Sequence, residues 1–251
     1  MIPSFLEPFR EEIEKYKLDT IKIEATPLGE GEALTFKQSK FLGKPYLPIN
    51  MEYPKDKNGV PMIHLAQINF AEVPALDDYP NSGILQLYIS PTDWYDMEDF
   101  CILFYENPDL DFQTGFDFLT KSLYEDCPIY VEHKLTFNKT IEYGDPNDFR
   151  FQLSFDGKDY YDFQKSLSKA QEDEMDKFFD SIGHKIGGYA YFTQSDPRDY
   201  DSIKHDDVLL LQIDTDEEIM FGDSGVAHIF INSDDLKEKD FSKAYFYWDC
   251  C

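Results

Sequence analysis

The sequence predicts an α+β, β-rich fold on an internally duplicated β architecture, a roll or barrel-like arrangement of sheets, with an N-terminal helix and one long helix near 163–182. Three observations predict it. Aromatic residues make up 16% of the chain, with 22 Phe and 17 Tyr, which suits strands closing on a bulky core better than a helical bundle. Short apolar runs separated by Gly, Pro, Asn and Asp clusters recur along both halves. The phrase LAQIN at 65–69 returns as LLQID at 210–214, the mark of one supersecondary unit used twice.

At the start, Phe5, Leu6, Phe9, Ile13 and Tyr16 fall at helical spacing, with Pro3 and Pro8 in the opening turns where proline costs least. The segment TIKIEATPL then alternates as a strand. Residues 40–54 are apolar but carry Gly43, Pro45, Pro48 and Pro54, so an irregular extended path is expected. Asn58-Gly59 is a two-residue turn signal that delivers the chain into the strand MIHLAQINF. A proline-bracketed loop leads to ILQLYIS, and 101–105, 128–132 and 134–143 are further strand candidates around a loop-rich, acidic stretch at 90–126. Phe163, Leu167, Met175, Phe178, Phe179 and Ile182 form one apolar helical face, closed by Gly183. Strands dominate again to the end.

Lys40, Gly43, Tyr46 and Gln67 correspond to Lys185, Gly188, Tyr191 and Gln212 at a constant offset of 145 residues (185 − 40). After a three-residue adjustment, SGILQLYIS at 82–90 lies over SGVAHIFIN at 224–232. Residues 1–251 are therefore expected to form a single domain with two internal repeats, about 40–90 and 185–232, since no Gly/Ser-rich or Pro-rich linker parts them.

The runs LGKPYLPINMEYPKDKNGVPMIHLAQINFAEVP, SGILQLYI, HKIGGYAYFTQSDPR, LLLQIDTD and FGDSGVAHIFINSDDLKEKDFSKAYFYWDC, in that order, resemble the YwqG-like family of bacterial proteins, a domain of unknown function. The resemblance spans residue 20 to the end. Gln194 and Pro197 match the family's second irregular segment, whereas Phe221 and Tyr53 stand where it usually has tryptophans. It implies a β-rich α+β fold and a cytoplasmic protein, and brings no established activity.

Fifty acidic against 23 basic residues leave a formal charge of −27. Such a field repels phosphate backbones and anionic headgroups, so no nucleic acid and no membrane partner is expected, while a basic protein partner would be attracted. The opening residues lack the basic-then-apolar pattern of a secretory signal, no apolar run approaches the ~20 residues of a membrane span, and the four cysteines show no C-x-x-C pair. A cytoplasmic setting with free thiols is expected.

GDSG at 222–225 matches the nucleophile motif of chymotrypsin-like proteases, but Ser224 corresponds to Ser82 of the other repeat, where nothing suggests catalysis. A turn before a strand accounts for both copies. No phosphate-binding glycine loop and no H-x-x-x-H occurs, so no cofactor is predicted. Asp214, Asp216, Glu217, Glu218 and Asp223 offer oxygen ligands to a divalent cation, without the twelve-residue loop of an EF-hand.

Gln67 and Gln212 share a strand face with Asn69 and Asp214. Each glutamine amide needs partners, and the irregular Gly/Pro backbone of its own half can supply them. The functional alternative brings Gln67, Asn69, Gln194, Asp196, Gln212, Asp214 and Asp223 to a shared cleft that binds a small ligand. The chain therefore reads first as a non-enzymatic binding module, of regulatory or immunity type, with an acidic surface. The rival is an enzyme with a carboxylate-lined, divalent-cation-dependent cleft at the repeat interface, and no catalytic residue is assigned.

Overall fold

The computed structural model describes residues 1–108, 111–200 and 204–251. Residues 109 and 110 of the loop-rich 90–126 stretch lie outside the described residues. Among the described residues ten antiparallel strands form one sheet: β1 (Leu18–Pro27), β2 (Lys40–Phe41), β3 (Ile63–Asn69), β4 (Ile84–Ile89), β5 (Phe100–Tyr105), β6 (His133–Glu142), β7 (Lys185–Gly187), β8 (Asp207–Ile213), β9 (Val226–Asn232) and β10 (Tyr245–Asp249). Their order across the sheet is β10-β9-β8-β7-β1-β6-β2-β3-β4-β5.

That order contains the duplication. The two long strands β1 and β6 pair at the centre, with β2-β3-β4-β5 on one side and β7-β8-β9-β10 on the other. The halves exchange their first strands: β1 of the first half pairs with β7, and β6 of the second pairs with β2. Register repeats to the residue. Lys40 lies opposite Gln67 as Lys185 lies opposite Gln212, and the bulge between His64 and Ala66 recurs between Leu209 and Leu211.

Alternate residues of β3, β4, β8 and β9, among them Leu65, Ile68, Leu87, Ile213 and Ile229, close on one interior cluster. The two outer strands approach through Phe100 of β5 and Phe246 of β10, ring centroids 6.4 Å apart, and beside them Phe104 meets Phe241 at 4.3 Å and Trp94 meets Trp248 at 4.9 Å, so the sheet curls into a nearly closed barrel. The opposite faces of these strands are buried too, because the irregular segments after β2 and β7 lie over them; this makes β3 and β4 near-continuous apolar runs rather than alternating ones.

The N-terminal helix runs as 3-10 turns over Ser4–Phe9 and Glu14–Tyr16 around α1 (Arg10–Ile13), since Pro8 inside it removes the N–H an α-turn would use. Its Leu6 and Ile13 pack on Phe151, Phe155, Met175 and Phe179 in a second cluster. The long helix expected near 163–182 resolves into α2 (Tyr160–Gln164) and α3 (Lys169–Phe178). Ser168 opens α3: its N–H donates to the side chain of Gln171 at 3.1 Å, a restart signal inside the apolar periodicity. A last helix, α4 (Ser233–Glu238), follows β9. The strand expected at 128–132 is reduced to one bridge, Ile129 opposite Ile219, with Tyr130 N–H donating to Glu218 O.

Candidate functional site

The glutamines that open each half's outer face carry matching hydrogen bonds. Gln67 Oε1 accepts from Tyr46 N–H at 2.8 Å, and its Nε2 donates to Phe36 O and Gln38 O, both at 2.8 Å. Gln212 Oε1 accepts from Tyr191 N–H at 2.9 Å, and its Nε2 donates to Ser181 O at 3.0 Å and Gly183 O at 2.8 Å. All three partners correspond at the offset of 145. Next along each strand, Asn69 N–H donates to Ser39 Oγ, and Asp214 N–H donates to His184 Nδ1, again the same position twice. Each glutamine thus pins the irregular segments of its own half to the sheet.

Of the remaining predicted site residues, Gln194 and Asp196 line one small pocket of about 270 Å³, whereas the first-half and second-half members are apart. Four strands lie between β3 and β8, so Gln67 and Asn69 are far along the sheet from Gln212 and Asp214. Asp214 accepts from Gly183 N–H at 2.7 Å and Thr215 N–H at 2.7 Å. Gln194 bonds elsewhere: its N–H donates to Asp249 at 2.7 Å and its side chain to Cys250 O. Asp196 is buried against Arg198, which donates to it at 2.9 and 2.6 Å, to Asp148 at 2.9 Å, and lies over the Phe230 ring at 4.6 Å. Burial would raise Asp148, yet Arg150 and Arg198 hold it well below the carboxylate range. Asp223 is exposed in the turn, where Ser224 adopts a left-handed φ of 54°. Among the described residues no group of three His, Cys, Asp or Glu side chains is placed to hold a metal ion.

The repeat aligns two lysines that the cleft expected from the sequence leaves out. Lys40 and Lys185 stand at equivalent positions, both buried. Each precedes a turn with two consecutive left-handed residues, Leu42 and Gly43 at φ 56° and 77°, Gly187 and Gly188 at φ 70° and 72°. At both Gly43 and Gly188 a Cβ would collide with a carboxylate oxygen, so glycine is what lets an acidic group lie against the turn.

The surroundings then diverge. Lys185 Nζ donates to both oxygens of Glu142, at 2.5 and 2.6 Å, and Glu142 also accepts from Tyr189 N–H at 3.0 Å. The Tyr189 ring is buried and its hydroxyl donates to Tyr16 O, which seals the corner. Lys40 Nζ donates only to carbonyls, Thr35 O at 2.8 Å and Lys44 O at 3.1 Å, and the carboxylate beside it, Glu132, stops at 3.9 Å. Burial pulls the Lys40 ammonium down to about 8, with Glu132 and Glu72 opposing. Burial also raises Glu132, against Lys40 and Lys44.

Lys40 lines a pocket of about 720 Å³. Its walls include Leu34, Phe36, Leu42, Phe116, Tyr124 and Val131, and its charges are Lys40, Lys44, Lys121, Glu32 and Glu132. Three cations against two anions make this lining net positive in a chain of charge −27. Tyr130 and Val131, 58% and 36% exposed, form part of the lining. A second cleft, about 410 Å³, lies where the halves meet, between Leu76, Asp77, Asp78 and Tyr79 of the first and Val208, Ser233 and Leu236 of the second. Its Arg150 is already bound to Asp148 at 2.8 and 2.6 Å and to Gly188 O at 2.8 Å.

A family profile described as a domain of unknown function (DUF1963) matches residues 39–250. The chain belongs to this family. The match takes in both repeats, Lys40 and Lys185, and the whole of the sheet except β1. No curated protein matches the chain. No helix among the described residues is long and apolar enough to cross a membrane.

Proposed function

We propose that the protein is a small-molecule-binding module whose ligand site is the 720 Å³ pocket over its first half. The observation that carries the reading is the inequality of two equivalent lysines: one closed by Glu142, the other left with a loose counter-ion in an apolar-walled pocket of ligand size. The duplicated glutamine anchors tie the irregular segments of both halves to the sheet, and a pre-organised wall lowers the ordering cost of binding at a concave site. The reading is non-enzymatic, in keeping with a YwqG-like relative in a reducing cellular interior; all four cysteines are free, and burial pushes the Cys127 thiol up to about 12.

A fragment screen by thermal shift and methyl NMR tests it. Hits should move the methyl signals of Leu34, Leu42 and Val131 and should vanish in Val131→Trp, which fills the pocket. Hits that persist in that variant would place binding elsewhere.

The −27 charge favours a second, separable role for the exterior, attraction of a basic protein partner. Its affinity should fall steeply with salt, and salt-insensitive capture would count against it.

A further inference from the structure

The second half displays what the first half's pocket lacks. Around Lys185, a carboxylate lies in the corner made by the ammonium and the Tyr189 N–H, with Thr20 beside it donating to Ile186 O and Gly187 O at 3.2 Å. In the first half the same corner is framed by the Lys40 ammonium and the Lys44 N–H. Lys44 N–H has no hydrogen-bond partner among the described residues, and Lys40 Nζ has two carbonyl partners for three protons. Glu132 precedes Lys134, the strand partner of Lys40, by two residues, as Thr20 precedes Lys22, the strand partner of Lys185; it starts from the strand position of Thr20 and its carboxylate leans on the Gly43 turn as that of Glu142 leans on Gly188, but without closing on the ammonium, so a ligand carboxylate has to displace it. Its side chain is 30% exposed and 3.9 Å from Nζ, too far for a hydrogen bond.

Resting on the pocket reading above, we infer that the first-half pocket takes a monocarboxylate with an apolar or aromatic body, its carboxylate seated on Lys40 Nζ and Lys44 N–H where Glu142 sits in the second half. The ligand completes an ion pair that the other repeat makes within the chain. Its body lies against Phe36, Phe116 and Val131, and Lys44 and Lys121 supply further positive charge in the lining. Glu132 turns outward on binding. A desolvated cation meeting a carboxylate with paired donors discriminates strongly against a neutral isostere of the same shape.

The test uses the full chain and four probes of one shape: 3-phenylpropionate, 3-phenylpropionamide, 3-phenylpropanol and 3-phenylpropylamine, titrated by calorimetry and methyl NMR. The carboxylate should bind at least ten-fold more tightly than the amide or alcohol, and the amine should not bind. Lys40→Met should remove that ten-fold preference, so that carboxylate, amide and alcohol bind alike. Glu132→Gln, a surface-accessible change that keeps the fold, should tighten the carboxylate several-fold and the amide not at all, so the inference stays exposed to failure if Lys40→Met does not fold. Equal binding of carboxylate and amide, preference for the amine, or a Glu132→Gln variant indifferent to the carboxylate would overturn the ligand class while leaving the pocket reading standing. No binding of any probe, with fragment hits untouched by Val131→Trp, would overturn both.

Discussion

Lys40 and Lys185 occupy one position in two copies of the same supersecondary unit, share strand register and turn geometry, and differ in their partners. Around Lys185 the chain supplies a carboxylate, a capping N–H and a buried tyrosine lid. Around Lys40 it supplies two carbonyls and a pocket. Duplication fixed the scaffold, and divergence in the residues facing one corner left one copy closed and the other open to a ligand.

The largest consequence is for stability. Lys185→Met leaves the buried Glu142 carboxylate with only the half-exposed Lys22 ammonium at 3.5 Å and the Tyr189 N–H, and should cost about 3 kcal/mol in denaturant unfolding, the low end for breaking a buried pair. Lys40→Met should stay within ~1 kcal/mol of wild type at pH 7, since relief of a poorly paired buried ammonium offsets the loss of two hydrogen bonds. Similar losses for the two variants would erase the proposed difference between the halves.

A pH series sharpens the same contrast. The folded Lys40 amine lies near 8, below its ordinary value, so below pH 8 both states hold the proton and the full burial cost stands. Between pH 8 and about 10.5 the unfolded chain keeps a proton the folded chain has released, and stability rises with pH. Relative to Lys40→Met, wild type should gain roughly 2–3 kcal/mol from pH 7 to pH 10, Lys185 being common to both proteins. A flat difference across that window would mean the Lys40 amine titrates as an exposed lysine does.

The glutamines should behave alike. Gln67→Leu and Gln212→Leu each orphan a peptide N–H and two carbonyls, and each should cost about 1–3 kcal/mol. The first should cost slightly more, because Gln86 Nε2 also donates to Gln67 Oε1 at 2.7 Å. At the small end, Asp223→Asn on the exposed turn should fall within ±0.5 kcal/mol by thermal unfolding.

Much of the fold was legible because it rests on local signals. LAQIN and LLQID, the Ser-Gly turns and the Gly43 and Gly188 positions carried the duplication, and the glutamine partners followed from the cost of an unpaired buried amide. The exchange of β1 and β6 between halves was not legible, since pairing across 92 or more residues (133 − 41 at the shortest) leaves no local trace. Ser168 hid the break between α2 and α3 inside a continuous apolar periodicity. The cleft expected from the sequence was built on other residues than the Lys40 pocket for a similar reason. Acidic side chains such as Asp196 and Asp214 stand out in sequence, yet their hydrogen bonds go to Arg198 and to nearby backbone. Lys40 carried a visible signal, a lysine in both repeats amid apolar neighbours, but its meaning depended on Glu132 and Glu142, which belong to the other half.

The most direct measurement is a crystal structure of the full chain soaked with 3-phenylpropionate. The carboxylate should lie within hydrogen-bond distance of Lys40 Nζ and Lys44 N, with Glu132 displaced and the Lys185–Glu142 pair untouched. A probe bound elsewhere, or a Glu132 carboxylate closed onto Lys40 in its stead, would contradict the account.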